Sequence, residues 1–288
     1  MARTPQPSIA VIGAGIAGLA CARFLADNAV GVTVFEKSRG LGGRLATRRI
    51  GAFQFDHGAQ YVTARSDGFR TYLDTCVATG AAAPWTPVAQ TRAAANWVVG
   101  APGMSALARP LAGGLDVVHG AEITAIVRDG QVYALRASNE ARYGMFDGVV
   151  VTAPAPQALA LLALVDAAFN AIDQVRMSPC WSALVAFDCA SGMDADVLRE
   201  PSTSIAWAAR DCSKPGRPRG HETWVIHASP MWSREHLEME KGEIADLLAR
   251  EFLALSPERL KPSPVYIDAH RWRYALVETP LGRPFLRG

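Results

Sequence analysis

The chain has 288 residues and a mass of 30.8 kDa; half of its residues are hydrophobic and 19% are charged. This composition is typical of a globular enzyme of one or two domains and excludes an intrinsically disordered chain. The net charge of +2 gives no reason to expect a nucleic acid or an anionic membrane as a partner. The five cysteines form no Cys-x-x-Cys pair, and the apolar run near the N-terminus is interrupted by glycines. We therefore expect no metal site and a cytoplasmic protein, without predicting an oligomeric state.

The first predicted elements form a strand–helix–strand unit. Residues 8–13 are a short apolar run that ends in glycine, which is typical of a strand buried on both faces of a parallel sheet. Residues 13–26 are rich in alanine and leucine at helical spacing, and residues 30–36 are a second β-branched strand. Their compact length is that of a dinucleotide-binding βαβ unit.

The middle of the chain alternates between loops, strands and helices. Residues 37–49 are rich in glycine and arginine and predict an extended, cofactor-contacting loop, and residues 52–63 are expected to be extended. Further predictions are a helix over 67–79, a crossing between domains over 81–90, a strand at 96–100 followed by a helix, and a strand at 149–152. Segments 122–127 and 131–137 flank Asp129-Gly130, which predicts a hairpin with a type I′ turn.

The last third of the chain predicts a second sheet. Residues 181–187 and 222–227 are expected strands of this sheet, residues 237–255 a helix, and residues 265–272 a returning strand. The fold class is therefore α/β: a Rossmann-like FAD/NAD(P)-binding domain with an inserted α+β substrate domain. The expected boundaries are 1–76, 97–164 and 265–288 for the first domain, and 77–96 and 165–264 for the second.

A glycine fingerprint lies between the first strand and the first helix. Gly13 permits the tight turn, Gly15 lets the backbone approach a pyrophosphate, and Gly18 allows close helix–strand packing. The helix N-terminus at Ile16 and Ala17 then offers N–H groups to the phosphates. Glu36 ends the second strand, where a carboxylate would hold ribose hydroxyls. These features predict dinucleotide binding.

A second glycine cluster favours FAD over NAD. Gly42, Gly43 and Arg44 follow Glu36-Lys37 closely, and a backbone with few side chains can run along the pyrophosphate and ribityl chain. The segment from Asp56 to Tyr61 adds small residues suited to pass close to a flat ring. An arginine- and glycine-rich surface loop is the alternative interpretation.

These motifs, together with Pro102-Gly-Met and His270-Arg-Trp, resemble the renalase-type branch of the flavin amine oxidase superfamily. The resemblance runs over essentially the whole chain. It implies non-covalently bound FAD, a substrate domain with an antiparallel sheet, and a small-molecule donor of dihydropyridine or NAD(P)H type with O2 as acceptor. By the same resemblance, Ile123 would contact adenine through its backbone.

The expected site residues follow from the motifs and the resemblance together. Those expected to contact FAD are Gly13, Ala14, Gly15, Ile16, Ala17, Gly18, Glu36, Lys37, Gly42, Gly43, Arg44, His57, Gly58, Ala59, Gln60, Tyr61, Ile123 and Ala153. The catalytic candidates are His57, Gln60, Arg271 and Trp272. Trp272 could stack on a substrate ring and Arg271 or Arg273 could hold a substrate phosphate, but a buried tryptophan between surface arginines is an equally weighted interpretation.

The expected reaction is hydride transfer from the donor to flavin N5, followed by reoxidation by O2 to hydrogen peroxide. An amine, porphyrinogen or carotenoid-type oxidase is the alternative enzyme. Family members also carry a Gly-Asp motif on a last parallel strand, and no such pair occurs near Gly288. The further alternative is therefore a truncated, non-catalytic dinucleotide-fold protein with impaired FAD binding.

Overall fold

The computed structural model describes residues 6–88, 97–257 and 262–288. Its helices are α1 (Ile16–Asp27), α2 (Asp67–Ala78), α3 (Arg109–Ala112), α4 (Ala155–Leu162), α5 (Pro230–Glu235) and α6 (Lys241–Leu253). Its first strands are β1 (Ser8–Ile12), β2 (Gly31–Glu36), β3 (Arg48–Ile50), β4 (Phe53–Phe55), β5 (Ala82–Pro84), β6 (Val98–Gly100), β7 (Asp116–His119) and β8 (Ile123–Asp129). The remaining strands are β9 (Val132–Ala137), β10 (Arg142–Phe146), β11 (Gly148–Val151), β12 (Arg176–Phe187), β13 (Val197–Arg199), β14 (Ile205–Arg210), β15 (Glu222–Ala228) and β16 (Tyr266–Thr279).

The chain divides into two compact units, each made from separate stretches of sequence. The described residues within 1–43, 108–177 and 277–288 form the first unit, and those within 44–107 and 178–276 form the second. The predicted cofactor and substrate domains had other boundaries, since residues 44–76 were expected with the cofactor domain. Residues 89–96, part of the predicted crossing and strand, lie outside the described residues. The assignment of cofactor and substrate to particular segments stays a prediction.

The first unit is built around a parallel sheet of strand order β11-β1-β2-β7. One face of this sheet packs on α1 and α3 through residues such as Val11, Leu19 and Val34. The other face packs on the antiparallel sheet β10-β9-β8 through Phe35 and Phe146. Strands covered on both faces must be apolar throughout, which explains why β1 and β11 are continuous apolar runs.

The predicted hairpin is present, but its turn type was wrong. Asp129 pairs directly with Val132, so Gly130 and Gln131 are the two turn residues. Gly130 has φ +63°, whereas Gln131 does not have a positive φ. A type I′ turn needs positive φ at both central residues, and a single leading glycine fits type II′ instead.

The second unit contains the five-stranded sheet β13-β14-β15-β12-β16. Ile244, Leu248 and Phe252 form a stripe along α6 that is buried against one face of this sheet. The opposite face packs on Phe55 of β4 through Leu184 and Val225. The helix predicted over 237–255 is present but shorter, as α6. It begins at Lys241, after the separate helix α5 has ended at Glu235, and ends at Leu253. The predicted strand 265–272 continues to Thr279 as β16.

Together, these sheets confirm the α/β fold class. A parallel sheet with the dinucleotide-type βαβ unit lies in the first unit, and a largely antiparallel sheet with helices lies in the second. No described helix is long and apolar enough to cross a membrane.

Candidate active site

At two positions of the glycine fingerprint in the first unit, the surrounding atoms leave room for no residue except glycine. Gly13 has φ +105°, and a Cβ there would lie 2.8 Å from Oγ1 of Thr152. A Cβ on Gly18 would lie 2.0 Å from the carbonyl oxygen of Gly13, a distance that only glycine avoids. The Thr152 hydroxyl donates to the carbonyls of Ile12 and Gly13 at 3.1 and 3.2 Å, which fixes the turn beneath α1.

Gly15 differs from the other two glycines because the protein leaves the space around it open. No described atom lies within 4 Å of a Cβ built on Gly15. Gly15 is also the N-cap of α1, where no side chain caps the helix and no acidic residue stands in the first turn. The N–H groups at the start of α1, at Ile16 and Ala17, are therefore available to an anion.

The second glycine cluster lies beside the first. Gly42 donates its N–H to the carbonyl of Ala14 at 2.9 Å and forms an isolated parallel bridge with Gly15. A Cβ on Gly43 would lie 3.5 Å from the Cα of Gly15. The two motifs predicted from separate parts of the sequence thus form one glycine cradle, defined here as Gly13, Ala14, Gly15, Gly42 and Gly43.

Glu36 is buried at the edge of this cradle. Its Oε2 accepts from the N–H of Ala14 and its Oε1 from the N–H of Ser38, both at 2.8 Å. Each carboxylate oxygen can accept a second hydrogen bond, so Glu36 can also accept from the hydroxyls of a ribose. The open space at Gly15, the uncapped helix and this carboxylate fit the diphosphate and ribose of FAD.

The other candidates of the first unit lie around the same turn. Ala121 donates its N–H to the Glu36 carbonyl at 3.0 Å, which brings the start of β8 and Ile123 alongside residue 36. Ala153 follows β11, and its backbone nitrogen lies 3.7 Å from a Cβ built on Gly13. Lys37 is exposed.

In the second unit, the segment from Asp56 to Gln60 has no regular secondary structure and bends at Gly58; it is called here the 56–60 turn. A Cβ on Gly58 would lie 2.0 Å from the carbonyl oxygen of Arg44, and Ala59 donates its N–H to that oxygen at 2.9 Å. The Arg44 side chain is exposed and donates to the carbonyl of Ala275 at 2.8 Å. Gly58 is therefore required by the close approach of two backbones.

Aromatic rings cover the 56–60 turn. The indole Nε1 of Trp272 donates to the carbonyl of His57 at 2.8 Å, and the two rings stack at 5.2 Å with an angle of 25°. The His270 ring meets both rings edge-on. Burial, followed by the charges on His270 and Arg48, lowers the pKa of His57 to about 3. Burial, followed by Arg48 and Lys241, lowers the pKa of His270 to about 4, so both imidazoles are neutral at pH 7.

Tyr61, directly after the turn, belongs to a second group of rings. It stacks on Trp97 at 4.0 Å and 8°, and Trp207 lies 5.8 Å away. The guanidinium of Arg199 lies over both tryptophan rings, 5.3 Å from Trp97 and 4.9 Å from Trp207. Tyr61 and Trp97 are thus stacked face to face, Trp207 is tilted against both by 40–46°, and Trp97 is buried.

Gln60 points back into its own turn. Its Nε2 donates to the carbonyls of Asp56 and Gly58, the latter at 3.0 Å, and its Oε1 accepts from Nζ of Lys214 at 3.1 Å. The side chain is buried, and all of these bonds are made within the second unit. This arrangement assigns Gln60 a role in holding the backbone of the turn.

A fully buried cluster of four charges lies beneath the turn, called here the charge quartet: Asp56, Asp211, Lys214 and Arg217. Lys214 donates to Asp211 at 2.6 Å and lies 3.4 Å from Asp56, and Arg217 pairs with Asp56. Burial opposes ionisation of Asp56, but Lys214, Arg217 and a hydrogen bond from the Met104 N–H keep its pKa below the ordinary value.

Sequence reasoning missed three members of this quartet. Asp211, Lys214 and Arg217 lie in a short stretch with Pro215 and Gly216, a pattern that predicts an exposed loop. Only their partners in the 56–60 turn, more than a hundred residues earlier in the chain, explain their burial. No local signal in the sequence could have found them.

Arg271 is not brought together with the other catalytic candidates. It alternates with Trp272 along β16 and projects from the other face, where it pairs with Glu238 at 3.0 Å and donates to the carbonyl of Leu237 at 2.8 Å. Its guanidinium lies 5.6 Å from the ring of Trp181. Arg271 lines an open cavity of about 500 Å³ together with Arg48, Lys241 and Glu238. Among the described residues, no cluster of acidic, histidine or cysteine side chains could hold a metal ion.

Two family descriptions match this chain. Residues 11–75 match the NAD(P)-binding Rossmann-like domain, and residues 74–283 match the flavin containing amine oxidoreductase family. The second match covers most of the chain and includes Trp97, Trp207, His270 and Trp272 of the aromatic groups and Asp211, Lys214 and Arg217 of the charge quartet.

Curated relatives match over short stretches. A carotenoid phi-ring synthase from Streptomyces griseus is 55% identical over 40 residues, which are 14% of this chain and 8% of that protein. A 4,4'-diapophytoene desaturase from Staphylococcus aureus is 46% identical over 54 residues, 19% of this chain and 11% of that protein. The matched part of the chain thus spans about a tenth of these relatives' length.

Solved structures share the fold over almost the whole chain. A candidate protoporphyrinogen oxidase from Exiguobacterium sp. 255-15 has a TM-score of 0.76 at 14% identity, covering 96% of this chain and 88% of that one. Putrescine oxidase bound to putrescine has a TM-score of 0.70 at 13% identity, with coverages of 92% and 84%. The glycine cradle, the buried Glu36 and the match over residues 74–283 lead to one conclusion: this chain belongs to the flavin containing amine oxidoreductase family, whose members are oxidoreductases that use FAD.

Proposed function

We propose that this chain oxidises a small dihydropyridine-type donor, such as NAD(P)H or a close analogue, and passes the electrons to O2 to give hydrogen peroxide. The observation that carries the proposal is the electrostatic state around the 56–60 turn. His57 and His270 are neutral at pH 7, and the carboxylates of Asp56 and Asp211 are taken by Lys214 and Arg217.

This state suits an uncharged donor ring better than an alkylamine. An alkylamine is a cation at neutral pH and must be held by a free carboxylate or lose a proton to a base. Among the described residues packed at the turn, the carboxylates are paired with cations and the histidines are weak bases. A dihydropyridine becomes aromatic on losing a hydride, so it needs neither group.

FAD, when bound, supplies the two-electron acceptor chemistry. In our proposal the residues of the glycine cradle and Glu36 hold its diphosphate and ribose, with Lys37, Ile123 and Ala153 as further contacts. Arg44, His57, Gly58, Ala59 and Tyr61 are proposed contacts from the second unit. Trp272 and His57 would orient the flat donor by stacking and exclude water from it, which favours transfer through proximity.

The named relatives support a second candidate. The candidate protoporphyrinogen oxidase and the diapophytoene desaturase are named for a porphyrinogen and for diapophytoene. The half-buried rings of Tyr61 and Trp207, which pack on the buried Trp97, would contact such a molecule. This candidate predicts activity on apolar polyenes or porphyrinogens and none on dihydropyridines.

The test is anaerobic mixing of the FAD-loaded protein with NADH, NADPH or an N-alkyl dihydronicotinamide. We expect the donor to bleach the visible flavin absorption, and admission of O2 to restore it with one hydrogen peroxide formed per donor oxidised. A matched variant, Trp272→Phe, keeps an aromatic ring but loses the hydrogen bond to His57, and should slow bleaching by roughly tenfold or more.

Two results would contradict the proposed function. If FAD stays bound and no dihydropyridine bleaches it, the proposed donor class is wrong, and the polyene and porphyrinogen screen decides the second candidate. If the protein retains no FAD after desalting, the oxidase activity itself is contradicted for this chain.

A further inference from the structure

Side chains of the second unit hold the carbonyl groups of the 56–60 turn. Nε2 of Gln60 donates to the carbonyls of Asp56 and Gly58, and Nε1 of Trp272 donates to the carbonyl of His57 between them. Three consecutive carbonyl oxygens are therefore fixed by side chains of the second unit.

The peptide plane carries this constraint to the N–H groups. In a trans peptide the N–H points away from the carbonyl of the preceding residue. Fixing the carbonyls of Asp56 and His57 therefore turns the N–H groups of His57 and Gly58 in the opposite direction. Neither of these two amides has an acceptor among the described residues, whereas the next amide, that of Ala59, donates to Arg44. The turn thus presents two adjacent unpaired donors.

Lys214 decides which way the Gln60 amide faces. An ammonium group can only donate, so it selects the carbonyl oxygen of Gln60 and leaves Nε2 facing the turn. Lys214 is itself held by Asp211 at 2.6 Å and is fully buried. Asp211 therefore holds Lys214, Lys214 orients Gln60, and Gln60 holds the carbonyls of the turn.

We propose that Gln60 and Lys214 are positioning residues that aim the N–H groups of His57 and Gly58 at an electron-rich oxygen or nitrogen of a ring-bearing ligand. This ligand is either the flavin or the carbonyl-bearing donor. The inference rests on the proposed function, because it requires that the 56–60 turn contacts one of these two molecules. In this proposal Gln60 acts through the backbone of the turn.

The test compares three variants of the full chain loaded with FAD. Gln60→Met removes both donors while Lys214 keeps Asp211 as its partner, and Lys214→Met removes the group that orients Gln60. The matched control is Arg210→Met, which breaks ion pairs with Asp196 at 2.6 Å and Glu222 at 3.5 Å in the same unit, neither of which belongs to the 56–60 turn. Thermal unfolding of all three separates general destabilisation from the specific effect.

We expect amide exchange at Ala59 to become at least tenfold faster in Gln60→Met and Lys214→Met, and to stay unchanged in Arg210→Met. This readout needs no FAD and no substrate, so its result is independent of whether the proposed function holds. A shift of the visible flavin bands without donor identifies the flavin as the ligand. An unshifted spectrum with a tenfold higher KM for the dihydropyridine identifies the donor.

Two results overturn the inference. One is exchange at Ala59 that changes no more in the Gln60 and Lys214 variants than in Arg210→Met. The other is faster exchange accompanied by an unchanged flavin spectrum, KM and kcat, which leaves Gln60 and Lys214 a structural role alone.

Discussion

The glycine cradle of the first unit and the 56–60 turn of the second unit are both places where two stretches of backbone lie close together, yet they are held in different ways. In the cradle the glycines let backbone approach backbone: a Cβ on Gly43 would lie 3.5 Å from the Cα of Gly15, and in the adjoining helix a Cβ on Gly18 would lie 2.0 Å from the Gly13 carbonyl. The 56–60 turn is held by the presence of side chains, namely Gln60, Trp272 and the charge quartet. The cradle depends on backbone contacts that leave no room for a Cβ, whereas the turn depends on side chains that reach it from residues far along the chain.

The difference predicts how each turn responds to substitution. A glycine turn fails through steric overlap, which is short in range and indifferent to pH. A turn supported by buried charges fails when one partner is lost, because the remaining charge is left without compensation in a low-dielectric interior. The predictions below test this contrast.

The largest effect is expected from Asp56→Ala. The carboxylate of Asp56 accepts from Thr47 Oγ1 at 2.7 Å and the Met104 N–H at 2.8 Å, besides pairing with Arg217. Its loss leaves Asp211 as the carboxylate that faces both Lys214 and Arg217. Breaking a buried pair from one side costs about 3–5 kcal/mol of unfolding free energy. Urea unfolding followed by tryptophan fluorescence measures this loss.

A double variant separates charge compensation from lost packing. Asp56→Asn combined with Arg217→Gln removes one charge of each sign and leaves Lys214 paired with Asp211. We expect the double variant to lose less stability than the sum of its two single variants, because no lone charge remains. Additive losses would show that the quartet is not an electrostatic unit.

Gly18→Ala should be the next most destabilising change. The added methyl group meets backbone of the Gly13 turn, which cannot move aside as a flexible side chain could. Overpacking of this kind costs about 1–3 kcal/mol, and the backbone contact places Gly18→Ala near the upper end. The loss should be present without FAD, since it arises within the protein. An apo protein as stable as the parent would contradict this geometry.

The two turns also differ in how well the sequence predicts them. Gly13, Gly15, Gly18 and Glu36 were recognisable because strand, turn and helix follow one another within about 30 residues, the span of a βαβ unit. The 56–60 turn was recognised as a motif, but its support was not. Lys214 and Asp56 are distant in sequence. Lys214 precedes a proline in a loop, and it becomes a buried partner of Asp56 only through tertiary packing.

Arg271 and Trp272 show the same limit on a smaller scale. Sequence reasoning placed them together as neighbours near a substrate, but a strand sends adjacent residues to opposite faces. Trp272 therefore reaches His57, while Arg271 pairs with Glu238. The strand itself was correctly predicted. The sequence did not show which of the two residues faces the turn, because that depends on the register of β16 in its sheet.

Gly15→Ala should leave stability unchanged and act on the cofactor alone. No described atom meets a Cβ at this position, and the N-cap φ of −70° is accessible to alanine. If the open space holds the FAD diphosphate, the methyl group should weaken FAD binding by about tenfold or more. Titration of the apo protein with FAD measures the affinity, and thermal unfolding of the apo protein is the control. Equal FAD affinity in variant and parent would show that the space serves another purpose.

The last expected effect is a pH dependence confined to the second unit. Burial, aided by nearby charges, lowers the pKa of His57 to about 3 and those of His227 and His270 to about 4, and all three lie in that unit. Unfolded histidines bind a proton near pH 6.5, so between about pH 6.5 and 4 the unfolded state holds protons that the folded state does not. Stability should therefore fall as the pH falls through this window, by up to about 1.4 kcal/mol per pH unit for each histidine.

Native-state amide exchange can assign this pH dependence to a unit, which global unfolding cannot do. On acidification from about pH 7 to 4.5, protection should decrease in β12 and β15 of the second unit and remain nearly constant in β1 and β2 of the first. His57→Gln removes one titrating group. It should therefore make the decrease in stability with pH shallower by up to about 1.4 kcal/mol per pH unit. An equal loss of protection in both units would contradict the contrast between the glycine cradle, which contains no buried titrating histidine, and the 56–60 turn, which is held by buried polar groups.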